Sequence, residues 1–195
     1  MLPDLECVLV LPSIGILDAV PSGLVTKAQT VLIEGTVQDA SPVVLRMGGT
    51  LIGLSGGAFS VEAQLPGDGE RSFVLEAEDA AHNFSQTSVP VLVDRTAPQL
   101  QIASPGEGVI LGGLPIVVQG TVQDATRATV TVNGVPAVQN GEAWQATFEG
   151  LVEGSHSFQA VTVDAAGNEA RATRNVRLDL LAPMVSIATC RPRAR

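Results

Sequence analysis

The chain has 195 residues, of which 45% are hydrophobic and 16% charged, with a formal net charge of −9. That apolar fraction is typical of globular proteins and excludes wholesale disorder, and no apolar run reaches the roughly 18–20 residues of a membrane-spanning helix. The acidic balance argues against nucleic acids and anionic membranes as partners.

Residues 1–12 are predicted to form an irregular leader. Their apolar stretch has an acidic flank and lacks the positive region and small-residue cleavage site of a secretory signal. Either the start site is wrong or, as we expect from the incomplete third repeat below, the chain is a fragment of a longer protein. The two cysteines, Cys7 and Cys190, lie near opposite ends, and a bridge would require these ends to meet. We interpret them as unrelated free thiols.

The chain that follows is an internal repeat. A shift of 85 residues places GTVQDA at 35–40 on GTVQDA at 120–125, and 22 of the 73 positions aligned over 31–103 and 116–188 are identical. Self-similarity at a fixed period is the signature of repeated modules. It predicts one domain over 13–97, a second over 98–182, and at 183–195 the truncated start of a third repeat with a basic tail.

The predicted elements within each repeat are strands. Apolar residues alternate at Val31, Ile33 and Val37 with period two, which indicates half-buried strands. In the second copy residues 129–132 predict a strand that runs into an Asn133-Gly134 hairpin turn of type I′. Further inward-facing positions follow at Trp144, Ala146 and Phe148, and then at Phe158 and Ala160. We predict an all-β fold of two tandem immunoglobulin-like β-sandwiches of about seven strands each, plus the start of a third.

This pattern resembles bacterial Ig-like repeat domains of surface and secreted proteins. It is carried by Gly-Thr-Val-x-Asp-Ala at 120–125, Val-Asn-Gly at 132–134, Trp144, residues 162–168 and Ala182-Pro183. The resemblance implies tandem modules outside the cell, in adhesins or in accessory regions of polysaccharide-active enzymes, that serve mostly as spacers. The first copy departs from the pattern, because His82 takes the place of the turn glycine.

Catalysis is not expected. The histidines, His82 and His156, occupy non-equivalent positions in different repeats. His156 lies between Ser155 and Ser157, but neighbours on a strand point to opposite faces, so they do not form a triad. No Cys/His spacing fits zinc.

Aspartates recur where strands end, at Asp39 and Asp124 and again at Asp79 and Asp164. In an immunoglobulin topology the two strands concerned run in the same direction, so their aspartates reach one pole of a repeat. Asp94, in the linker, lies at the opposite pole of the first repeat. A head-to-tail array then predicts a calcium site at the junction from three carboxylates with an amide nearby, since calcium takes six to eight oxygen ligands: Asp94, Asp124, Asp164 and Asn168. The alternative is turn capping: the aspartate before Ala-Gly-Asn, Asp164, and the one near Thr-Ala-Pro, Asp94, accept backbone N–H bonds within their own turns.

Three functions remain open. The leading hypothesis is a non-catalytic extracellular or cell-surface spacer, or adhesion module, whose partners are neighbouring Ig-like repeats, with a glycan or protein as further ligand. The alternative is a carbohydrate-binding accessory domain of a secreted polysaccharide-active enzyme, which needs exposed aromatics. Here Phe84, placed in a turn, is the only candidate. The third is homophilic pairing through sheet edges, which Pro90 disfavours.

Overall fold

The structure is a computed structural model that describes residues 11–16 and 23–188. Within these residues every regular element is a β-strand, which confirms the all-β fold class. The remaining residues, among them most of the predicted leader, Cys7, Cys190 and the end of the basic tail, lie outside the described residues. No helix in the described part of the chain is long and apolar enough to cross a membrane.

Backbone contacts divide the chain into two compact units. Unit 1 contains the described residues up to Thr96 together with the turn Ala165–Asn168. Unit 2 contains Ala97–Asp164 and the described residues from Glu169 onward.

Unit 1 has two sheets. The first is three-stranded and antiparallel in the order β1-β3-β6, with β1 at Ser13–Ile16, β3 at Thr30–Gln38 and β6 at Ala58–Gln64. The second is five-stranded in the order β2-β8-β7-β4-β5, with β2 at Leu24–Thr26, β4 at Val43–Met47, β5 at Thr50–Ile52, β7 at Gly69–Asp79 and β8 at Phe84–Val93.

Unit 2 repeats this plan. One sheet has the order β14-β15-β11-β9, with β9 at Gln99–Ser104, β11 at Ile116–Gln123, β14 at Val138–Asn140 and β15 at Ala143–Phe148. The other has the order β10-β17-β16-β12-β13, with β10 at Ile110–Leu111, β12 at Thr129–Val132, β13 at Val135–Pro136, β16 at Gly154–Val163 and β17 at Glu169–Leu178.

Each unit has its own apolar core, built from the inward-facing positions of its strands. In unit 1 the side chains of Leu45 and Leu75 are fully buried. In unit 2 Trp144 is 2% exposed, and the rings of Phe148 and Phe158 lie 4.8 Å apart between centroids. The period-two prediction therefore identifies the buried faces correctly.

In each core a glycine lies directly against a buried aromatic ring. A Cβ added to Gly120 would lie 1.8 Å from the Gln101 carbonyl oxygen and 2.6 Å from the Trp144 ring. At Gly35 it would lie 2.5 Å from the Phe59 ring. Real Cβ atoms do not approach other atoms so closely, so the first residue of the repeated GTVQDA segment is fixed by packing.

Two turns have backbone conformations that explain their sequences. Asn133 (φ 49°) and Gly134 (φ 80°) both have positive φ between β12 and β13, as the predicted type I′ hairpin requires. His82 also has positive φ, at 63°, where the second repeat has Gly167 at 82°.

The prediction for Phe84 is wrong in one respect. Phe84 begins β8 and pairs with Glu78 of β7, so it lies on a sheet rather than in a turn. The reason is that the turn closes early, because Asp79 N–H donates to the Asn83 carbonyl oxygen at 3.0 Å.

Within the described residues unit 1 has eight strands and unit 2 has nine, whereas about seven are predicted for each. The additional strands are short. Among these additions, β2 pairs in parallel with β8, and β10 pairs in parallel with β17. In both units an early strand therefore lies parallel to the last strand of the sheet.

Candidate functional site

The aspartates of unit 1 close their own turns. The carboxylate of Asp79, which is buried, accepts hydrogen bonds from the backbone N–H groups of Ala81 and Asn83, both at 2.8 Å, and from the Asn83 amide at 2.7 Å. These bonds, of which the Asn83 side-chain bond is the strongest cause, lower the pKa of Asp79 below its ordinary value. Asp39 accepts from the backbone N–H and the hydroxyl of Ser41, both at 2.8 Å.

Asp94 follows β8 and is the most deeply buried of the predicted ligands, with 4% of its surface exposed. Its Oδ1 accepts the backbone N–H of Thr96 at 3.1 Å, and its backbone carbonyl accepts the Asn168 amide at 2.9 Å within unit 1. Its Oδ2 is buried and has no hydrogen-bond partner. A buried carboxylate oxygen without a donor is costly unless a cation or a water satisfies it.

Asp124 and Asp164 lie together in unit 2. A carboxylate oxygen of Asp124 and one of Asp164 are within 4.8 Å of each other. Asp124 is half-buried, and its Oδ1 accepts the backbone N–H and the hydroxyl of Thr126, both at 3.0 Å. Asp164 is buried. The structure therefore brings the ends of β11 and β16 to one pole of this unit, as the strand directions predict.

These contacts show the predicted turn bond at Asp94, and Asp124 accepts a similar one. Asp179, which is the repeat counterpart of Asp94, likewise accepts the backbone N–H of Leu181 at 3.2 Å. Turn closure therefore accounts for one oxygen of each carboxylate. Because Asp94 belongs to unit 1 and Asp124 to unit 2, the calcium site proposed for the junction stays a prediction.

The histidines have partners that fit structural roles. The ring nitrogen Nε2 of His156 lies 2.7 Å from the Val152 carbonyl oxygen. The Nδ1 of His82 lies 2.6 Å from Oε1 of Glu78, and this carboxylate raises the pKa of His82 above its ordinary value. Each imidazole ring therefore contacts a residue four positions earlier in the chain.

One anchoring residue is missed by the sequence analysis. The guanidinium of Arg95 donates to the carbonyl oxygens of Ala28 at 2.6 Å and Leu65 at 2.8 Å, and lies 3.3 Å from the Asp68 carboxylate. The backbone N–H of Arg95 is the main cause that lowers the pKa of Asp68. The repeat gives no signal for Arg95, because its counterpart is Leu180.

Comparison with known proteins identifies the fold. Residues 98–180 match the family model described as glucodextranase, domain B. The chain is a tandem of Ig-like domains.

Solved structures with this fold include two tandem arrays. The fibronectin(III)-like modules of CbhA from Clostridium thermocellum superpose on the Ig-like tandem with a TM-score of 0.54 at 16% identity, over 90% of this chain and 100% of that one. The titin I-band fragment I67–I69 gives a TM-score of 0.54 at 9% identity, over 87% of this chain and 66% of that one. At these identities the likeness shows the fold alone. A comparison with curated protein sequences gave no match.

Proposed function

We propose that this Ig-like tandem is a non-catalytic spacer or adhesive stalk segment of a larger bacterial surface or secreted protein, located outside the cell. The observation that carries the proposal is the parallel pairing of an early strand with the last strand in each unit. When such a chain is pulled from its two ends, the paired strands are drawn in opposite directions along their common axis. All hydrogen bonds between them then resist together instead of opening one at a time.

The bonds that would resist tension are well formed in unit 2. Gly108 N–H donates to the Asn175 carbonyl at 2.8 Å, and the N–H groups of Arg177 and Asp179 donate to the carbonyls of Val109 and Leu111, both at 2.9 Å. In unit 1 the N–H of Asp94 donates to the Thr26 carbonyl at 2.9 Å. Such an arrangement suits a segment that keeps its length while it links other parts of a protein.

A carbohydrate-binding accessory role is the second candidate. The observation that favours it is the match of residues 98–180 to a domain of glucodextranase. This match supports a role as an accessory module within a polysaccharide-active enzyme, while the fold by itself does not specify the ligand.

Calcium binding at the junction remains part of the proposal. It is supported within unit 1 by the buried Oδ2 of Asp94, which has no hydrogen-bond partner, and within unit 2 by the pair of carboxylates at Asp124 and Asp164. We expect calcium at millimolar concentration to raise the melting temperature of the chain, and Asp94→Ala to abolish the rise. Asp179→Ala is the matched control, because it removes a turn bond at the equivalent position and should leave the calcium effect intact. A melting temperature that does not respond to calcium contradicts the site.

The spacer role is tested by module exchange in the full-length natural protein. Residues 13–182 are replaced by two unrelated Ig-like modules of similar length, and a second variant deletes them. Export and the binding or hydrolytic activity of the parent are then measured. A spacer predicts that the exchange keeps activity and the deletion lowers it. Loss of activity in the exchanged protein, with normal export, contradicts the proposal.

A further inference from the structure

The outer face of the five-stranded sheet of unit 1 carries an unusual set of side chains. Glu78 of β7 lies between Val44 of β4 and Phe84 of β8 in one cross-strand row. Because side chains alternate along a strand, all three point away from the buried Leu45 and Leu75. A second row, one pair further along, is formed by Leu51, Arg46, Glu76 and Gln86.

Phe84 is the one aromatic side chain among the large apolar groups that are exposed in the described part of the chain, with 49% of its surface accessible. Directly paired residues on neighbouring strands place their Cβ atoms about 4.5–5.5 Å apart. Phe84 and Glu78 therefore lie side by side on this face, with the exposed aromatic side chain next to a polar one.

The polar side chains of this face contact one another. Glu78 Oε1 lies 2.6 Å from Nδ1 of His82, and Glu78 Oε2 lies 3.7 Å from Nη1 of Arg46. The side chains of Arg46 and Glu78 remain 39% and 40% exposed. The carboxylate of Glu78 and the nitrogen groups of Arg46 and His82 are thus paired with one another on the Phe84 face and remain accessible to solvent.

The second repeat has different side chains at the positions that correspond to Val44, Glu78 and Phe84. There Val163 pairs with Thr129 and Glu169, and Glu169 forms an ion pair with Arg171. Unit 2 has the same fold without an aromatic patch on this face, so the fold itself does not require Phe84.

We infer that the Phe84 face of unit 1, comprising Phe84, Glu78, Arg46 and His82, binds a neutral polysaccharide chain. A pyranose ring presents an apolar C–H face that packs on an aromatic ring, and its hydroxyl groups donate to carboxylates and accept from guanidinium and imidazole N–H groups. The net charge of −9 disfavours anionic glycans. A protein partner would need about 1,000 Å² or more of interface, whereas this face offers one ring among charged groups that already pair with each other. The inference specifies a surface for the accessory role, and the spacer role can hold without it.

The test uses the full chain in affinity electrophoresis through gels that contain dextran, starch, xylan or a mixed-linkage β-glucan. We expect at least one of these polymers to retard the chain. Phe84→Ala should weaken the apparent affinity at least tenfold, whereas Phe84→Trp should preserve binding. Glu169→Ala, at the same register in the second repeat, is the matched control and should leave binding unchanged. Circular dichroism establishes that each variant is folded.

Two outcomes overturn the inference. These are no retardation by any of the neutral polymers, and retardation that Phe84→Ala leaves unchanged. Neither of them affects the module-exchange experiment, so failure of this surface is distinguishable from failure of the spacer role.

Discussion

The substitution Gly120→Ala tests how the core of unit 2 is packed. The added methyl would lie 1.8 Å from the Gln101 carbonyl oxygen and 2.6 Å from the Trp144 ring. A side chain can rotate away, but the Gln101 oxygen belongs to the backbone of β9, the partner of β11. The methyl therefore forces β9 and β11 apart. We expect unit 2 to lose about 3 kcal/mol of stability, the upper part of the usual range for overpacking.

The chain provides a convenient probe for this measurement. Trp144 is its only tryptophan and lies in the core of unit 2, so tryptophan fluorescence reports the unfolding of that unit. For a domain of this size a loss of about 3 kcal/mol lowers the melting temperature by roughly 12–24 °C. Gly113→Ala is the matched control, because a methyl there meets no atom within 4 Å and needs no left-handed backbone.

The control is expected to leave the midpoint unchanged or to raise it slightly, since alanine restricts the unfolded chain. If Gly120→Ala melts within about 2 °C of the natural sequence, on the scale set by the expected loss, then the contact between glycine, ring and backbone is wrongly placed.

Three further predictions concern the turns. Gly134→Ala gives a residue with a side chain a backbone φ of 80° and should destabilise unit 2 by about 1–2 kcal/mol. Tryptophan fluorescence should then show unfolding at a lower urea concentration, and an unchanged midpoint contradicts the hairpin assignment. Glu78→Gln removes the carboxylate that raises the pKa of His82, so an NMR titration should show that pKa falling towards 6.5, and no fall would refute the contact. The stabilisation from this pair is present below the ordinary histidine pKa and is lost as pH rises through the raised pKa of the folded state. Asp79 has a lowered pKa, so its contribution to stability is present above its ordinary pKa of 3.8 and is lost as pH falls through the pKa of the folded state. Asp79→Asn should therefore reduce the fall of the melting temperature at acid pH, and an unaltered fall contradicts this.

The long strands are predictable from the sequence because their apolar residues alternate in phase in both repeats. Strands of two or three residues, such as Ile110–Leu111 and Leu24–Thr26, are too short to show a period. They are also the strands that pair in parallel, so the feature on which the spacer proposal depends appears only in the structure.

The candidate site is predictable in part. Strand direction places Asp124 beside Asp164, and turn chemistry predicts the bond that Asp94 accepts. The position of Phe84 is not predictable, because the turn before it is closed by bonds between Asp79 and Asn83 that shorten it. An anchor that occurs in one copy alone, such as Arg95, leaves no trace in a comparison of the repeats.

The spacer account makes its most direct claim about the response of the tandem to force. In single-molecule stretching of the full chain from its two ends, it predicts two separate unfolding events. Each should release about 85 residues, or roughly 300 Å of extended chain at about 3.6 Å per residue. A chain that extends without force-resisting events, or that yields once over its whole length, contradicts the claim that two shear-resistant Ig-like units lie in series.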